Sequence, residues 1–179
     1  MRLLPATSLL CVVDIQEKLL AAMPDADRVV QMATRLVTAA SLLGVRSILT
    51  EQYPRGLGRT PAAIAAQLPP AIEKLSFSCC GCDGFGHALP ADVRAIVLCG
   101  LETHVCIAQT ALDLLAEGFS VFVVVDAIAA RHGLDHEIGL RRIEAAGAVL
   151  TTSEAVLFEW CRSAEHPQFQ AVRRLVVSS

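Results

Sequence analysis

The segment Ala95–Gly118, AIVLCGLETHVCIAQTALDLLAEG, joins an apolar, strand-like run to a helical pattern across a short polar stretch. The apolar run ends at Gly100, and from Cys106 onward the apolar residues have the spacing of an amphipathic helix that ends at Gly118. A strand followed at once by a helix is the repeating unit of α/β proteins. The segment therefore predicts this fold class and puts a cysteine where a helix begins.

Two interpretations of Cys106 follow from this position. Free cysteine is among the most buried residue types, so packing alone accounts for many cysteines. A helix N-terminus also favours the thiolate, which predicts a lowered pKa and a nucleophilic sulfur. The sequence of this segment is compatible with both.

The same alternation of apolar runs and helical patterns continues along the chain. The predicted strands are Ser8–Asp14, Val45–Thr50, Ala71–Ser78, Val93–Gly100, Phe119–Asp126 and Ala148–Thr152. The predicted helices are Asp25–Gly44, Arg59–Leu68 with Thr60 as its cap, Cys106–Gly118, Leu134–Gly147, Ser153–Ser163 and a surface helix in the last residues.

Continuously apolar strands are typical of a parallel sheet that is buried on both faces. Strands and helices in strict succession imply right-handed crossovers and helices on both sides of the sheet. We therefore predict an α/β fold, a three-layer α/β/α sandwich around a six-stranded parallel Rossmann-like sheet. With 179 residues, 54% of them hydrophobic, the chain suits a single domain over residues 1–179.

Composition disfavours several classes of protein. A net charge of −3 provides no basic surface for nucleic acid. No apolar run approaches the roughly 18 residues of a membrane span, and the N-terminus, MRLLPATSLLCVVD, predicts a first strand and not a signal peptide. Seven cysteines, an odd number, favour a reduced cytoplasmic protein. A mean hydropathy of +0.52 predicts a homo-oligomer that buries apolar surface between subunits.

Three of the cysteines lie within SCCGC, Ser78–Cys82. A structural zinc site usually takes four ligands from paired motifs, and no second cysteine pair follows this one. The nearest histidine, His87, has no partner at the spacing of a zinc finger. We expect a strand end that continues into a glycine-rich loop, and no metal.

In a parallel sheet of this kind, ligands bind beyond the carboxyl ends of the strands. Asp14 ends the first predicted strand, Lys74 lies in the third, and the fourth leads to Cys106. The loop Glu51–Thr60 follows the second strand and is a candidate active-site loop. A carboxylate, an ammonium and a thiol can form a nucleophilic site with the carboxylate as general base. The spacing alone does not single out these three residues, and no dinucleotide or Walker phosphate motif is present.

Seven motifs cover nearly the whole chain: VVDIQEKL, TEQYPRGLGRT, EKLSFS, LCGLETHVCIAQTALDL, VVDAIAAR, TTSEAVLFE and HPQF. Together they resemble the isochorismatase-like cysteine hydrolase family, which includes nicotinamidases and carbamoylsarcosine amidohydrolase, and above all its isochorismatase domain-containing subgroup. The resemblance implies a hydrolase that cleaves a C–N bond of a small-molecule substrate through an acyl-enzyme. It also implies a homo-oligomer, a dimer or larger.

Matched position by position, the resemblance implies that Asp14, Lys74 and Cys106 form a catalytic triad. It further implies a cis peptide bond between Leu101 and Glu102, and an oxyanion hole formed by the backbone amides of Glu102 and Cys106. Further candidates for contact with the substrate are Gln16, Gln52, Tyr53, Phe77 and Thr103.

The chain also departs from parts of the family. Metal-dependent nicotinamidases carry aspartate and histidine ligands where this chain has Gln52 and Pro54, so the resemblance implies no catalytic metal, no cofactor and a substrate other than nicotinamide. Isochorismatases that cleave a vinyl ether do not use the cysteine, so Cys106 disfavours that reaction. The alternative function is a non-catalytic member of the fold that binds a metabolite or a protein, and a redox role for the thiol is a third.

Overall fold

The computed structural model describes residues 2–177. At its centre, six parallel strands form one sheet in the order β3-β2-β1-β4-β5-β6. The strands are β1 (Ser8–Val13), β2 (Arg46–Gln52), β3 (Ile72–Lys74), β4 (Ala95–Leu101), β5 (Ser120–Ala129) and β6 (Val149–Thr151). This strand order, with helices on both faces, confirms the predicted α/β fold.

Helices follow the strands along the chain. They are α1 (Glu17–Leu20), α2 (Ala26–Leu43), α3 (Pro54–Leu57), α4 (Ala62–Ala65), α5 (Asp83–Ala88), α6 (Ala108–Ala116), α7 (Gly133–Ala145), α8 (Ser153–Cys161) and α9 (Phe169–Val177). A turn of π-helix, Thr103–Ile107, precedes α6 directly. No helix within residues 2–177 is both long and apolar enough to cross a membrane.

Strand β1 shows why the strands are apolar along their whole length. Leu10 and Val12 pack with α2, α8 and α9 on one face of the sheet. Leu9, Cys11 and Val13 pack with α5, α6 and α7 on the other face. Since successive side chains of a strand point to opposite faces, both faces of β1 lie inside a hydrophobic core.

Several predicted elements differ in extent from the observed ones. The third strand ends at Lys74 and not at Ser78, because the backbone carbonyls of Ser76 and Phe77 turn towards the ammonium of Lys74. The expected glycine-rich loop at Ser78–Cys82 is a 3₁₀ turn that leads into α5.

The loop after the second strand is also more regular than expected. Strand β2 extends through Gln52, and Pro54–Leu57 forms a short helix. Thr60 does not cap α4, because its backbone amide donates to Glu51 Oε1 at 2.8 Å and Pro61 precedes the helix.

The central strands approach each other closely at their carboxyl ends. Gly100 of β4 has φ +132°, and a Cβ atom there would lie 1.9 Å from the carbonyl oxygen of Val13. Only glycine fits this position. The close approach puts Asp14, the residue after Val13, beside the chain that leaves β4 towards Cys106.

Candidate active site

A buried ion pair lies at the carboxyl end of the sheet. Asp14 follows β1 in a left-handed conformation with φ 53°, and Lys74 is the last residue of β3. Lys74 Nζ donates to Asp14 Oδ2 at 2.6 Å, and neither side chain is exposed. Since β2 lies between β1 and β3, the lysine side chain crosses the end of β2 to reach the carboxylate.

Lys74 has further partners at the same edge of the sheet. Its ammonium donates to Gln52 Oε1 at 2.9 Å and to the carbonyls of Ser76 and Phe77 at 3.1 and 3.0 Å. Four acceptors thus surround three N–H bonds. The ammonium therefore has more acceptors around it than it has N–H bonds to donate.

The other oxygen of Asp14 is bound as well. Thr50 Oγ1 donates to Asp14 Oδ1 at 2.8 Å from the neighbouring strand β2. Both carboxylate oxygens therefore accept a hydrogen bond, and the position of the group is set by β1, β2 and β3 together.

Cys106 lies in the π-helical turn that joins β4 to α6. The amides of Val105 and Ile107 both donate to the carbonyl of Glu102 at 3.1 Å, which closes this turn. The peptide bond between Leu101 and Glu102, just before the turn, is cis. The turn places the Cys106 thiol near the Asp14 carboxylate and the backbone amide of Glu102, and both groups affect the pKa of the thiol.

Burial, the largest effect, and the nearby Asp14 carboxylate raise the pKa of the Cys106 thiol to about 12, although Lys74 and the Glu102 amide oppose this shift. The lowered pKa predicted from the helix start is therefore wrong. Desolvation disfavours the thiolate, and this cost together with the neighbouring anion outweighs the helix start. The resting site holds a neutral thiol beside a carboxylate.

A cavity of about 250 Å³ opens on the Cys106 sulfur. Its walls are Leu19, Gln52, Leu57, Phe77, Glu102, Val105, Cys106 and Arg131. Of the predicted substrate contacts, the structure brings Gln52 and Phe77 to this cavity. Tyr53 lines an adjoining surface pocket of about 380 Å³ instead.

Two predicted substrate contacts, Gln16 and Thr103, do not line the cavity. Gln16 is fully buried and holds the backbone of neighbouring loops: its amide nitrogen donates to the carbonyls of Gln52 and Gly58, and its oxygen accepts from the Gln52 amide. Thr103 is also fully buried, and its hydroxyl bonds His136 Nδ1 at 2.8 Å. Internal partners therefore occupy the polar groups of both side chains.

Four walls of the cavity and the side chain of one further residue were not predicted from the sequence. The walls are Leu19, Leu57, Val105 and Arg131. The side chain is the carboxylate of Glu102, which had been considered only for its backbone amide. Each of these residues lies in or next to a motif that carries the family resemblance, and this was the only signal available.

Within residues 2–177, no group of three or more His, Cys, Asp or Glu side chains is placed so that it could hold a metal ion. The cysteines of the SCCGC segment, Ser78–Cys82, lie in different surroundings. Cys79 Sγ lies 3.8 Å from Thr50 Oγ1 in the core, whereas Cys82 Sγ faces the carbonyl of Glu73 at 3.7 Å.

With this geometry in hand, comparisons with known proteins identify the family. The model of the isochorismatase domain matches residues 8–155, a range that contains Asp14, Lys74 and Cys106. The chain belongs to the isochorismatase domain family. The resemblance seen in the sequence motifs is thereby confirmed.

Three relatives illustrate the range of isochorismatase-domain proteins. Isochorismatase domain-containing protein 2 of Bos taurus is 41% identical over 175 residues, which cover 98% of this chain and 85% of that protein. A structure described as the MAR1 ribonuclease of Caenorhabditis elegans has a TM-score of 0.95 at 37% identity and covers 100% of this chain and 94% of its own. The YcaC gene product of Escherichia coli is described as an octameric hydrolase of unknown specificity. It has a TM-score of 0.87 at 26% identity, and the match covers 99% of this chain and 96% of the E. coli chain. The family and its relatives described as hydrolases support the conclusion that this chain is a hydrolase.

Proposed function

We propose that this isochorismatase-domain protein is a cysteine amidohydrolase that cleaves the C–N bond of a small-molecule amide. One observation carries the proposal: Cys106 lines a cavity and lies near the carboxylate of Asp14, which is itself paired with Lys74 at 2.6 Å. A nucleophile, a base and a charge that orients the base are the parts that amide hydrolysis requires.

Acylation begins from the protonated thiol. Asp14 takes the proton as Cys106 Sγ attacks the amide carbon, and the S–C bond forms. The backbone amides of Glu102 and Cys106 donate hydrogen bonds to the carbonyl oxygen and stabilise the negative charge that develops on it. Asp14 then passes the proton to the leaving nitrogen, the C–N bond breaks, and a thioester remains on Cys106.

Deacylation uses the same groups in reverse roles. Asp14 takes a proton from water as the water oxygen attacks the thioester carbon. The C–S bond breaks, the sulfur recovers the proton, and a carboxylic acid leaves. Lys74 remains bonded to Asp14 in both steps and counters the negative charge of the carboxylate when it is ionised.

Hydrolysis of a panel of short aliphatic amides, followed by ammonia release, tests the proposal. Cys106→Ala should abolish turnover and keep the melting temperature, whereas Cys80→Ala, a thiol outside the cavity, should keep both. If Cys106→Ala hydrolyses an amide at the wild-type rate, the mechanism is wrong. Absence of turnover on every amide would favour the non-catalytic alternative.

We also propose that the reaction needs neither metal nor cofactor. Gln52, which stands where related enzymes carry a metal ligand, uses its side-chain oxygen for Lys74 and its nitrogen for the carbonyl of Leu75. Dialysis against a chelator should leave ammonia release unchanged. Activity that is lost on dialysis and returns with zinc, iron or manganese would contradict the proposal.

Ribonuclease activity is a second candidate, because the C. elegans relative described as a ribonuclease is 37% identical. The cavity favours a small amide over RNA. Leu19, Leu57, Phe77 and Val105 make most of its walls apolar, and Arg131, its one basic lining residue, is already paired with a carboxylate. RNA cleavage by the wild type that disappears in Cys106→Ala would reverse this preference.

The predicted homo-oligomer also remains a proposal. Leu134, Ile138 and Val149 are large hydrophobic side chains that are 69%, 49% and 44% exposed. The octameric E. coli relative shows that this fold assembles in at least one case. Light scattering should give a multiple of the 19.1 kDa chain mass, and a single monomeric species would contradict the proposal.

A further inference from the structure

Two charged residues, Glu102 and Arg131, are among those that line the mostly apolar cavity that contains Cys106. Arg131 Nε lies 2.7 Å from Glu102 Oε1, and both residues line the cavity. The only other polar side chain there besides the thiol is Gln52, whose oxygen and nitrogen already bond Lys74 and Leu75. Polar recognition of a ligand therefore depends on Glu102 and Arg131.

The Glu102 carboxylate has unused hydrogen-bonding capacity. Its side chain is 7% exposed, and its second oxygen, Oε2, finds no hydrogen-bond partner within residues 2–177. His104 Nε2 is 3.7 Å from this oxygen, which is beyond a hydrogen bond. A buried acceptor without a partner is costly, so a group at this position requires an explanation.

Arg131 complements this acceptor with donors. It contacts Glu102 through Nε, which leaves the two terminal NH₂ groups of the guanidinium outside that contact. The Arg131 side chain is 53% exposed, and its contact is with Oε1 of Glu102 and not with Oε2. The pair offers one acceptor and at least one donor side by side.

The charges of the two residues balance, and this decides which ligand fits. A carboxylate on the ligand would be repelled by Glu102, and an ammonium would be repelled by Arg131. A purely apolar group would leave the unused acceptor unpaired. A neutral group that both donates and accepts a hydrogen bond satisfies both residues.

We propose that Glu102 and Arg131 form a specificity subsite for the end of the substrate remote from the atom that Cys106 attacks. The subsite binds a neutral group that both donates and accepts a hydrogen bond, such as a terminal carboxamide. The ligand N–H donates to Glu102 Oε2, and its carbonyl accepts from the guanidinium of Arg131. The inference rests on the proposed function, because it assigns the substrate class of the same cavity.

Glu102 also connects this subsite to the reacting sulfur. Its backbone carbonyl accepts from the amides of Val105 and Ile107 and so closes the turn that carries Cys106, while the residue also lines the same cavity. A ligand held by the carboxylate is therefore positioned relative to the thiol by a single residue. The apolar walls Leu57 and Phe77 and the volume of about 250 Å³ restrict the substrate to a short spacer between its two polar ends.

Three acrylamides of equal size test the subsite without any turnover: N-acryloylglycinamide, N-acryloylglycine and N-isobutylacrylamide. They end in a carboxamide, a carboxylate and an isopropyl group. In each case Cys106 Sγ bonds the terminal alkene carbon, the C=C π bond breaks, and the thiol proton moves by way of Asp14 to the adjacent carbon. The measured quantity is the second-order rate constant of Cys106 labelling, followed by mass spectrometry.

In the wild type, the carboxamide probe should label Cys106 at least about tenfold faster than either of the other two, as expected for a hydrogen bond to a charged group. Glu102→Gln and Arg131→Gln should each reduce this preference to within about twofold. Arg55→Gln removes an exposed arginine that lines only the adjoining pocket, and it should leave the preference unchanged. A purely structural role would slow all three probes by the same factor and leave their ratios intact.

The inference is overturned if the isopropyl or the carboxylate probe is as fast as the carboxamide probe in the wild type. It is also overturned if both cavity variants keep the wild-type preference. Because labelling needs no hydrolysis, these outcomes are separate from those of the proposed function. Amide hydrolysis without a probe preference refutes the subsite alone, and a probe preference without hydrolysis of any amide refutes the hydrolase alone.

Discussion

Lys74 Nζ lies 2.6 Å from Asp14 Oδ2, and both side chains are completely shielded from solvent. The two residues belong to strands that are not adjacent, since β2 separates β1 from β3. The ammonium therefore joins three strands at the edge of the sheet where the cavity opens. The pair is a structural element of the sheet, and its proposed role in catalysis can be measured separately.

Removal of the lysine charge should affect stability and activity together. Lys74→Met leaves the Asp14 carboxylate buried without its partner, which costs about 3–5 kcal/mol of unfolding free energy. The double variant Asp14→Asn/Lys74→Met should regain much of that stability and remain inactive. Urea unfolding and ammonia release measure the two effects. Lys18→Met, at an exposed position, is the matched control, and equal stability of Lys74→Met and the control would show that the pair contributes nothing.

The reactivity of Cys106 should follow the raised pKa of its thiol. With a pKa raised to about 12 by burial and by Asp14, labelling by iodoacetamide should still increase at about pH 10, where an ordinary cysteine with a pKa of about 8.5 has reached its plateau. Asp14→Asn removes an anion that raises the pKa, so the increase should move to lower pH. Lys74→Met removes a cation that lowers the pKa, so the increase should move to higher pH. Identical profiles for all three proteins would contradict the assigned contacts.

Much of the fold was predictable because the central strands are buried on both faces. This burial produces a recognisable pattern, a continuous apolar run such as Leu9–Val13, and the alternation with helices predicts that the strands are parallel. The end of the third strand was not predictable, since it depends on the bonds from Lys74 to the carbonyls of Ser76 and Phe77. The same ammonium is held by Asp14 and Gln52, which are distant in sequence, so no local pattern marks this strand end.

The candidate site was predictable only in part, for a similar reason. The position of Cys106 after a strand is visible in the sequence, but its pKa depends on burial and on Asp14, some ninety residues away. The walls Leu19, Leu57 and Arg131 come from three separate segments of the chain, and no local pattern connects them. The π-helical turn is also not visible in the sequence, because the apolar spacing that predicts a helix from Cys106 does not distinguish a π-helical turn from the α-helix that follows it.

A second carboxylate, Glu51, should make stability depend on pH. Burial raises the pKa of its carboxyl, but the Thr60 amide and Arg59 lower it by more, so the folded pKa lies below the ordinary value of 4.5. A lowered folded pKa means that the stabilisation is present above the unfolded pKa and is lost as the pH falls through the folded pKa.

Glu51→Gln should therefore lower the unfolding free energy at pH 7, and its difference from the wild type should shrink as the pH falls below about 4. Urea unfolding at several pH values measures this difference. Glu73→Gln removes the other, half-exposed partner of Arg59 and should have a smaller effect, because exposed ion pairs contribute little. A difference for Glu51→Gln that is independent of pH would contradict the lowered pKa.

The close approach of β1 and β4 at Gly100 should be the least tolerant position of the sheet. Gly100→Ala puts a methyl group 1.9 Å from the carbonyl oxygen of Val13, at a φ of +132° that side chains rarely adopt. The strands must separate to accept it, and this should cost on the order of 3 kcal/mol or more. Gly86→Ala is the matched control, because a Cβ at Gly86 meets no atom within 4 Å.

The same separation would move Asp14 away from the turn that carries Cys106, so the activity of Gly100→Ala should fall further than its stability requires. Ammonia release measured well below the melting temperature, on the fraction that remains folded, separates the two effects. If folded Gly100→Ala hydrolyses amides as fast as Gly86→Ala, then the contact between the two strand ends does not set the position of the base relative to the thiol.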